Sequence, residues 1–103
     1  MISVSEVEMY NRDLKVKSRY RQGRLALEAG DLEQAEFAFK RALEEDWGHA
    51  DSWLGLAETY KRAGDHNRLL NVLREGHRTC PSNERITERL DAVLDVINSG
   101  RKS

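Results

Sequence analysis

The stretch Trp53-Leu54-Gly55-Leu56-Ala57-Glu58-Thr59-Tyr60, followed by Ala63-Gly64-Asp65 and later by Pro81, decides the fold of this chain. Trp53, Leu56, Ala57 and Tyr60 stand at i, i+3, i+4 and i+7, the spacing of one buried stripe on an α-helix. Gly64 tolerates the left-handed backbone that ends a helix, and Asp65 suits the N-cap of the next one. That helix presents Leu69, Val72, Leu73 and Gly76. It stops before Pro81, because proline cannot extend a helix and restricts the residue before it.

Thirty-four residues upstream the pattern returns. Gly23 precedes Ala57, Ala26 precedes Tyr60, and Ala29-Gly30-Asp31 recurs as Ala63-Gly64-Asp65. Asp31 with Gln34 makes a capping box, and Ala35, Phe39, Ala42 and Leu43 form the stripe behind it. A helical unit of this period resembles the tetratricopeptide repeat. The resemblance divides the chain into a first unit at 16–49 and a second at 50–83. Residues 1–15 become an N-terminal extension running into the first helix, 84–99 a capping helix, and 100–103 a frayed tail.

The resemblance implies an all-α fold of stacked antiparallel hairpins wound into a right-handed superhelix. Gly23, Ala35, Ala42 and Ala57 then sit where paired helices approach most closely, with Phe39, Trp53, Leu56 and Tyr60 filling the space between. Both units are degenerate, in different places. The first has Arg19, Gln22 and Ala26 where Trp, Leu and an aromatic are usual, and Trp47 where the second has Pro81. The second has Leu69, Leu73 and Gly76 where Ala, an aromatic and Ala are usual. A glycine inside a helix costs about 1 kcal/mol relative to alanine. A close-packed following helix would explain Gly76.

The two ends read differently. Ser3-x-x-Glu6 and Ser5-x-x-Glu8 are both capping-box patterns, and Val7, Tyr10 and Leu14 make a stripe. Either one long helix runs from about Ser5 to Glu28, or a short helix breaks near Asn11-Arg12-Asp13. The absence of Gly and Pro around that stretch favours the long helix. The last helix is expected from Ser82 to Asn98, with Ser82 or Asn83 as its cap. Ile86, Leu90, Val93, Leu94 and Ile97 line its buried face, and its outer face is polar, as the end of a stacked array requires.

Composition excludes several classes. The 103 residues suffice for one small domain, and a net charge of −1 argues against a nucleic-acid binder. No apolar run is long enough to span a membrane, and the N-terminus lacks the basic start and apolar core of a secretory signal. One cysteine, Cys80, cannot form an internal disulfide, so a cytoplasmic setting is the expectation. No Gly-rich phosphate loop, CxxC or HExxH occurs, so an enzyme is not expected and no cofactor is implied.

The resemblance also implies a site. In such repeats a partner lies along the first helix of each pair. Those positions here are Lys17, Tyr20, Arg21, Arg24 and Glu28, then Asp51, Leu54, Gly55, Glu58, Lys61 and Arg62. The last helix adds Arg85, Glu88, Arg89 and Ala92. The first unit's share is basic with one aromatic, so an acidic peptide or helix is the expected ligand, with Tyr20 and Leu54 giving apolar contact. The chain would then be an adaptor or scaffold. A clamp for chaperone C-terminal tails is not expected. Its five polar positions fall on Tyr20, Arg24, Gly55, Glu88 and Ala92, and none is kept.

Three further features bear on function. The stripe of Val4, Val7, Tyr10 and Leu14 reaches beyond the first unit and could pack against a second copy, making the chain a homodimer or oligomerisation unit. His49, His77 and Cys80 fall near hairpin ends that meet, a weak candidate for zinc. Histidines at helix ends are otherwise explained by the dipole, and a lone cysteine by burial. Trp47, in the turn before Gly48, is expected to pack between the units in place of the missing proline.

Overall fold

The computed structural model describes residues 1–101, and these form five α-helices with no strand among them. They are α1 (Val4–Glu28), α2 (Leu32–Glu45), α3 (Ala50–Ala63), α4 (His66–Thr79) and α5 (Glu84–Arg101). Lys102 and Ser103, the end of the expected tail, lie outside the described residues. Gly100 and Arg101 belong to α5 rather than to a frayed tail, so the helix runs past the expected end at Asn98.

The recurring Ala-Gly-Asp builds the same turn twice. Gly30 and Gly64 have φ of 79° and 73°, and no other described residue has positive φ. The Asp31 N–H donates to Ala26 O and the Gly30 N–H to Leu27 O; Asp65 and Gly64 donate equivalently to Tyr60 O and Lys61 O. These bonds satisfy carbonyls that a helix end would leave unpaired. Each aspartate then caps the following helix: Asp31 Oδ1 accepts the Gln34 N–H at 3.2 Å, and Asp65 Oδ1 accepts the Arg68 N–H at 3.1 Å. Such caps contribute about 1 kcal/mol each.

α1 is one unbroken helix. Ser3, not Ser5, is its cap, accepting the Glu6 N–H on its hydroxyl oxygen. At α5 the cap is Asn83 rather than Ser82, with Asn83 Oδ1 accepting the Ile86 N–H at 3.1 Å.

α1 packs on α2 and α3 on α4 as hairpins, α2 on α3 joins them, and α5 packs on α4 and α3. α1 and α5 both pack on α3, whereas the backbones of α2 and α4 stand apart and are bridged by the Arg68–Glu36 ion pair at 3.5 Å. The first helices of the hairpins therefore form the inner, closer-packed layer, and a gap opens on the outer side. α3 lies at the centre of everything. From Ser52 to Tyr60 only Glu58 escapes full burial.

Phe39 is the keystone of the core. Its ring, fully buried, comes within 2.6 Å of a Cβ built on Gly23 of α1 and within 2.5 Å of one built on Gly55 of α3. Only glycine at both positions leaves room for the ring. Gly76 has a similar reason, but not the expected one. A Cβ there would meet Trp53 Cβ and Cγ at 3.2 Å, so its neighbour is α3 of the same hairpin, not the helix that follows.

Candidate partner-binding site

The inner layer carries a polar cleft of about 210 Å³ between α1, α3 and α5. Tyr20 and Arg24 come from α1; Asp51, Leu54, Gly55, Glu58 and Arg62 from α3; Arg85 and Arg89 from α5. Nine of the expected groove positions thus meet: Tyr20, Arg24, Asp51, Leu54, Gly55, Glu58, Arg62, Arg85 and Arg89. Lys17 and Arg21 are exposed on α1 and line neither this cleft nor the one beside it. Lys61 lies in the neighbouring cleft instead.

Two apolar expectations need correction. Leu54 is a core residue, only 5% exposed, so it can form the floor of the cleft but not a projecting contact. α3 is covered on all sides, and a stripe argument that assumes one buried face cannot find this. Tyr20 is half-buried, its ring 5.8 Å from Phe39 and edge-on to His49 at 5.5 Å. It offers a rim, not a free ring.

The charges in the cleft are mostly committed. Arg85 Nη1 sits 3.2 Å from Asp51 Oδ1. Glu58 holds Arg62 Nε at 3.2 Å and Arg89 Nη1 at 3.6 Å. Arg62 also donates from Nη1 to Leu27 O at 3.0 Å, capping the last turn of α1 from a helix away. Arg24, half-buried, has no ion pair within 4.0 Å among the described residues. With four arginines against two carboxylates, the cleft keeps an excess of positive charge. The Asp51–Arg85 and Glu58–Arg89 pairs are contacts that sequence reasoning missed. The signal was present for the first, since Asp51 and Arg85 occupy the same place in successive 34-residue units.

Next to this cleft, across the Glu58–Arg89 pair, lies an apolar wedge of about 560 Å³ between the α3/α4 hairpin and α5. Leu69 and Leu73 form its floor, and Val93, Val96 and Ile97 one wall. On the outer side, the gap between α2 and α4 is a third crevice of about 490 Å³, floored by Leu43, Trp53, Leu56 and Tyr60.

Trp47 closes one end of that outer crevice. It stacks on Trp53 at 5.3 Å with 18° between planes, and its carbonyl accepts the Trp53 Nε1–H at 2.7 Å. It does not pack between the units as expected, since it remains 63% exposed. Trp53 already fills that space, and Trp47 lies over it as a lid.

The weak zinc candidates have separate partners. His49 Nδ1 is 2.7 Å from Ser52 Oγ, His77 Nδ1 is 3.3 Å from Thr87 Oγ1, and Cys80 Sγ donates to Gly48 O at 3.6 Å. Among the described residues no three His, Cys, Asp or Glu side chains come together as a metal set. Burial, and then the nearby Asp46 carboxylate, raise the Cys80 pKa, which keeps it a protonated thiol. The Tyr60 pKa is also raised, first by burial and then by the Glu36 carboxylate that accepts its hydroxyl hydrogen bond.

No helix among the described residues is long and apolar enough to cross a membrane. No curated protein matches the chain. Residues 26–75, which run from the end of α1 through most of α4, match the family model of the tetratricopeptide repeat. Repeats of that family generally mediate protein–protein interaction and are typically non-catalytic. The twice-built Gly-Asp turn and the hairpin packing agree with that match, so residues 26–75, about half of the chain, form a tetratricopeptide repeat segment.

Proposed function

We propose that the chain is a non-enzymatic adaptor or assembly module that takes an acidic peptide or helix of a partner protein in the cleft between α1, α3 and α5. The observation that carries this reading is the state of the arginines. Arg85 pairs with Asp51, and Arg62 and Arg89 share Glu58, whereas Arg24 is half-buried beside them with no carboxylate partner among the described residues. A planar guanidinium in that state favours a bidentate carboxylate ligand. Lys17 and Arg21 on the same helix extend the positive field and would steer an acidic partner inward. A cytoplasmic setting goes with this reading, supported by the free thiol of Cys80.

The test is a titration of labelled acidic peptides against the wild type and an Arg21→Glu/Arg24→Glu variant, read by fluorescence anisotropy. Affinity should fall roughly tenfold or more, as for loss of a buried charge pair. Unchanged affinity removes these arginines from the site. A second reading, a structural homo-oligomerisation unit, is favoured by the exposed apolar stripe of α1. A mass by light scattering separates the two.

A further inference from the structure

We propose that the N-terminal part of α1 in one copy of the chain docks into the apolar wedge between α4 and α5 of a second copy. This rests on the self-association reading and adds the two surfaces that carry it.

The first surface is a helix without a floor. Every residue from Met1 to Leu14, and Lys15 after it, is exposed; Val16 is the first buried residue of α1. α1 has 25 residues against 14 in α2, so it overhangs its own hairpin. The overhang of about 12 residues is roughly 18 Å long at the helical rise of 1.5 Å per residue. Val7, Tyr10 and Leu14 lie along one face of it, 46%, 64% and 48% exposed. An isolated helix of that length gains little from propensity and is normally stabilised by packing.

The second surface is a floor without a helix. α5 packs only on α4 and α3, and among the described residues no helix lies beyond it. Leu69, Leu73, Val93 and Ile97 line the wedge this leaves, and Val96 at its mouth is 73% exposed. Its rim carries Lys61 and Arg89 against Glu58, while the overhang carries Glu6, Glu8 and Asp13 against Arg12 and Lys15. Opposite signs of net charge favour the pairing and set its register.

The occupant comes from another copy because the chain cannot fill its own wedge. α1 and α5 do not touch, and α1 is continuous from Val4 to Glu28, with no break at which the overhang could fold back. The two surfaces differ, so the contact is heterologous. It closes as a reciprocal pair or extends head to tail.

Sedimentation equilibrium of the full chain over a concentration series tests this, with Leu14→Asp on the overhang and Val96→Asp on the wedge. Both positions are exposed, and circular dichroism checks that the variants fold. The wild type should rise above monomer mass with concentration, and each variant should weaken association roughly tenfold or more. An equimolar mixture of the two variants should restore a one-to-one pair, because each keeps the surface the other has lost. A wild type that stays monomeric to high micromolar concentration overturns self-association altogether. A Val96→Asp variant that associates as tightly as wild type, or a mixture that stays monomeric, overturns the pairing of these surfaces while leaving self-association standing.

Discussion

The ring of Phe39 on α2 comes within 2.5 Å of the point where a Cβ on Gly55 of α3 would sit. The ring has little room to shift, because a Cβ on Gly23 of α1 would also come within 2.6 Å of it and Tyr20 lies 5.8 Å away between centroids. Three helices are thus set at their spacing by one side chain and two missing ones.

Gly55→Ala should therefore destabilise the fold, although Gly→Ala inside an open helix gains about 1 kcal/mol. Overpacking of a tight core costs about 1–3 kcal/mol and outweighs that gain. Urea denaturation measures the balance. In a double-mutant cycle, Phe39→Leu should absorb much of the loss from Gly55→Ala, since the smaller side chain vacates the contested space.

Trp47 and Trp53 give a second prediction. Trp47→Ala removes a stack worth about 0.5–1.5 kcal/mol. It leaves the hydrogen bond from Trp53 intact, because the acceptor is the backbone carbonyl of residue 47. The melting temperature should fall by a few degrees and no more. In a Trp53→Phe background, acrylamide should quench the remaining Trp47 emission strongly, as expected for a ring 63% exposed.

The turns were legible in the sequence because Gly-Asp is a local device: positive φ at the glycine and a carboxylate cap at the aspartate need nothing from elsewhere in the chain. The residues that gather at the cleft were legible through the resemblance, which implies a partner along the first helix of each pair and so named Tyr20, Arg24, Glu58 and Arg89. The burial of Leu54 was not. A period identifies one buried face, and α3 has four neighbouring helices and no free face except around Glu58. Nor could the sequence show that Arg62 serves Leu27 O, because that bond joins the ends of two helices from different hairpins.

Tyr60 predicts an alkaline limit to stability. Its pKa is raised above the ordinary 10.0 by burial and by the hydrogen bond to Glu36. In the unfolded chain the phenol ionises near its ordinary value, while in the fold it stays protonated. The unfolded state thus binds fewer protons above pH 10, and stability falls as pH rises from there toward the folded value. Below pH 10 the contribution is fully present. One proton corresponds to at most about 1.4 kcal/mol per pH unit. Urea midpoints between pH 8 and 11 should decline less steeply for Tyr60→Phe than for wild type.

Arg24 and Arg62 line one cleft and should respond oppositely to removal. Arg62 bonds the Leu27 carbonyl in the last turn of α1 and pairs with Glu58, so Arg62→Ala strips a helix end of a charged donor. A hydrogen bond involving a charged group contributes about 1.5–3 kcal/mol, and the lower end applies at this partly exposed site. Arg24→Ala removes a cation that has no carboxylate to lose, so the fold should keep its stability within about 0.5 kcal/mol. Its effect belongs to the ligand: affinity for an acidic peptide should fall while the melting temperature holds. Thermal melts and peptide titrations on the two variants separate the residue that builds the cleft from the residue that uses it. An Arg24→Ala protein that melts as early as Arg62→Ala would assign Arg24 to the scaffold as well.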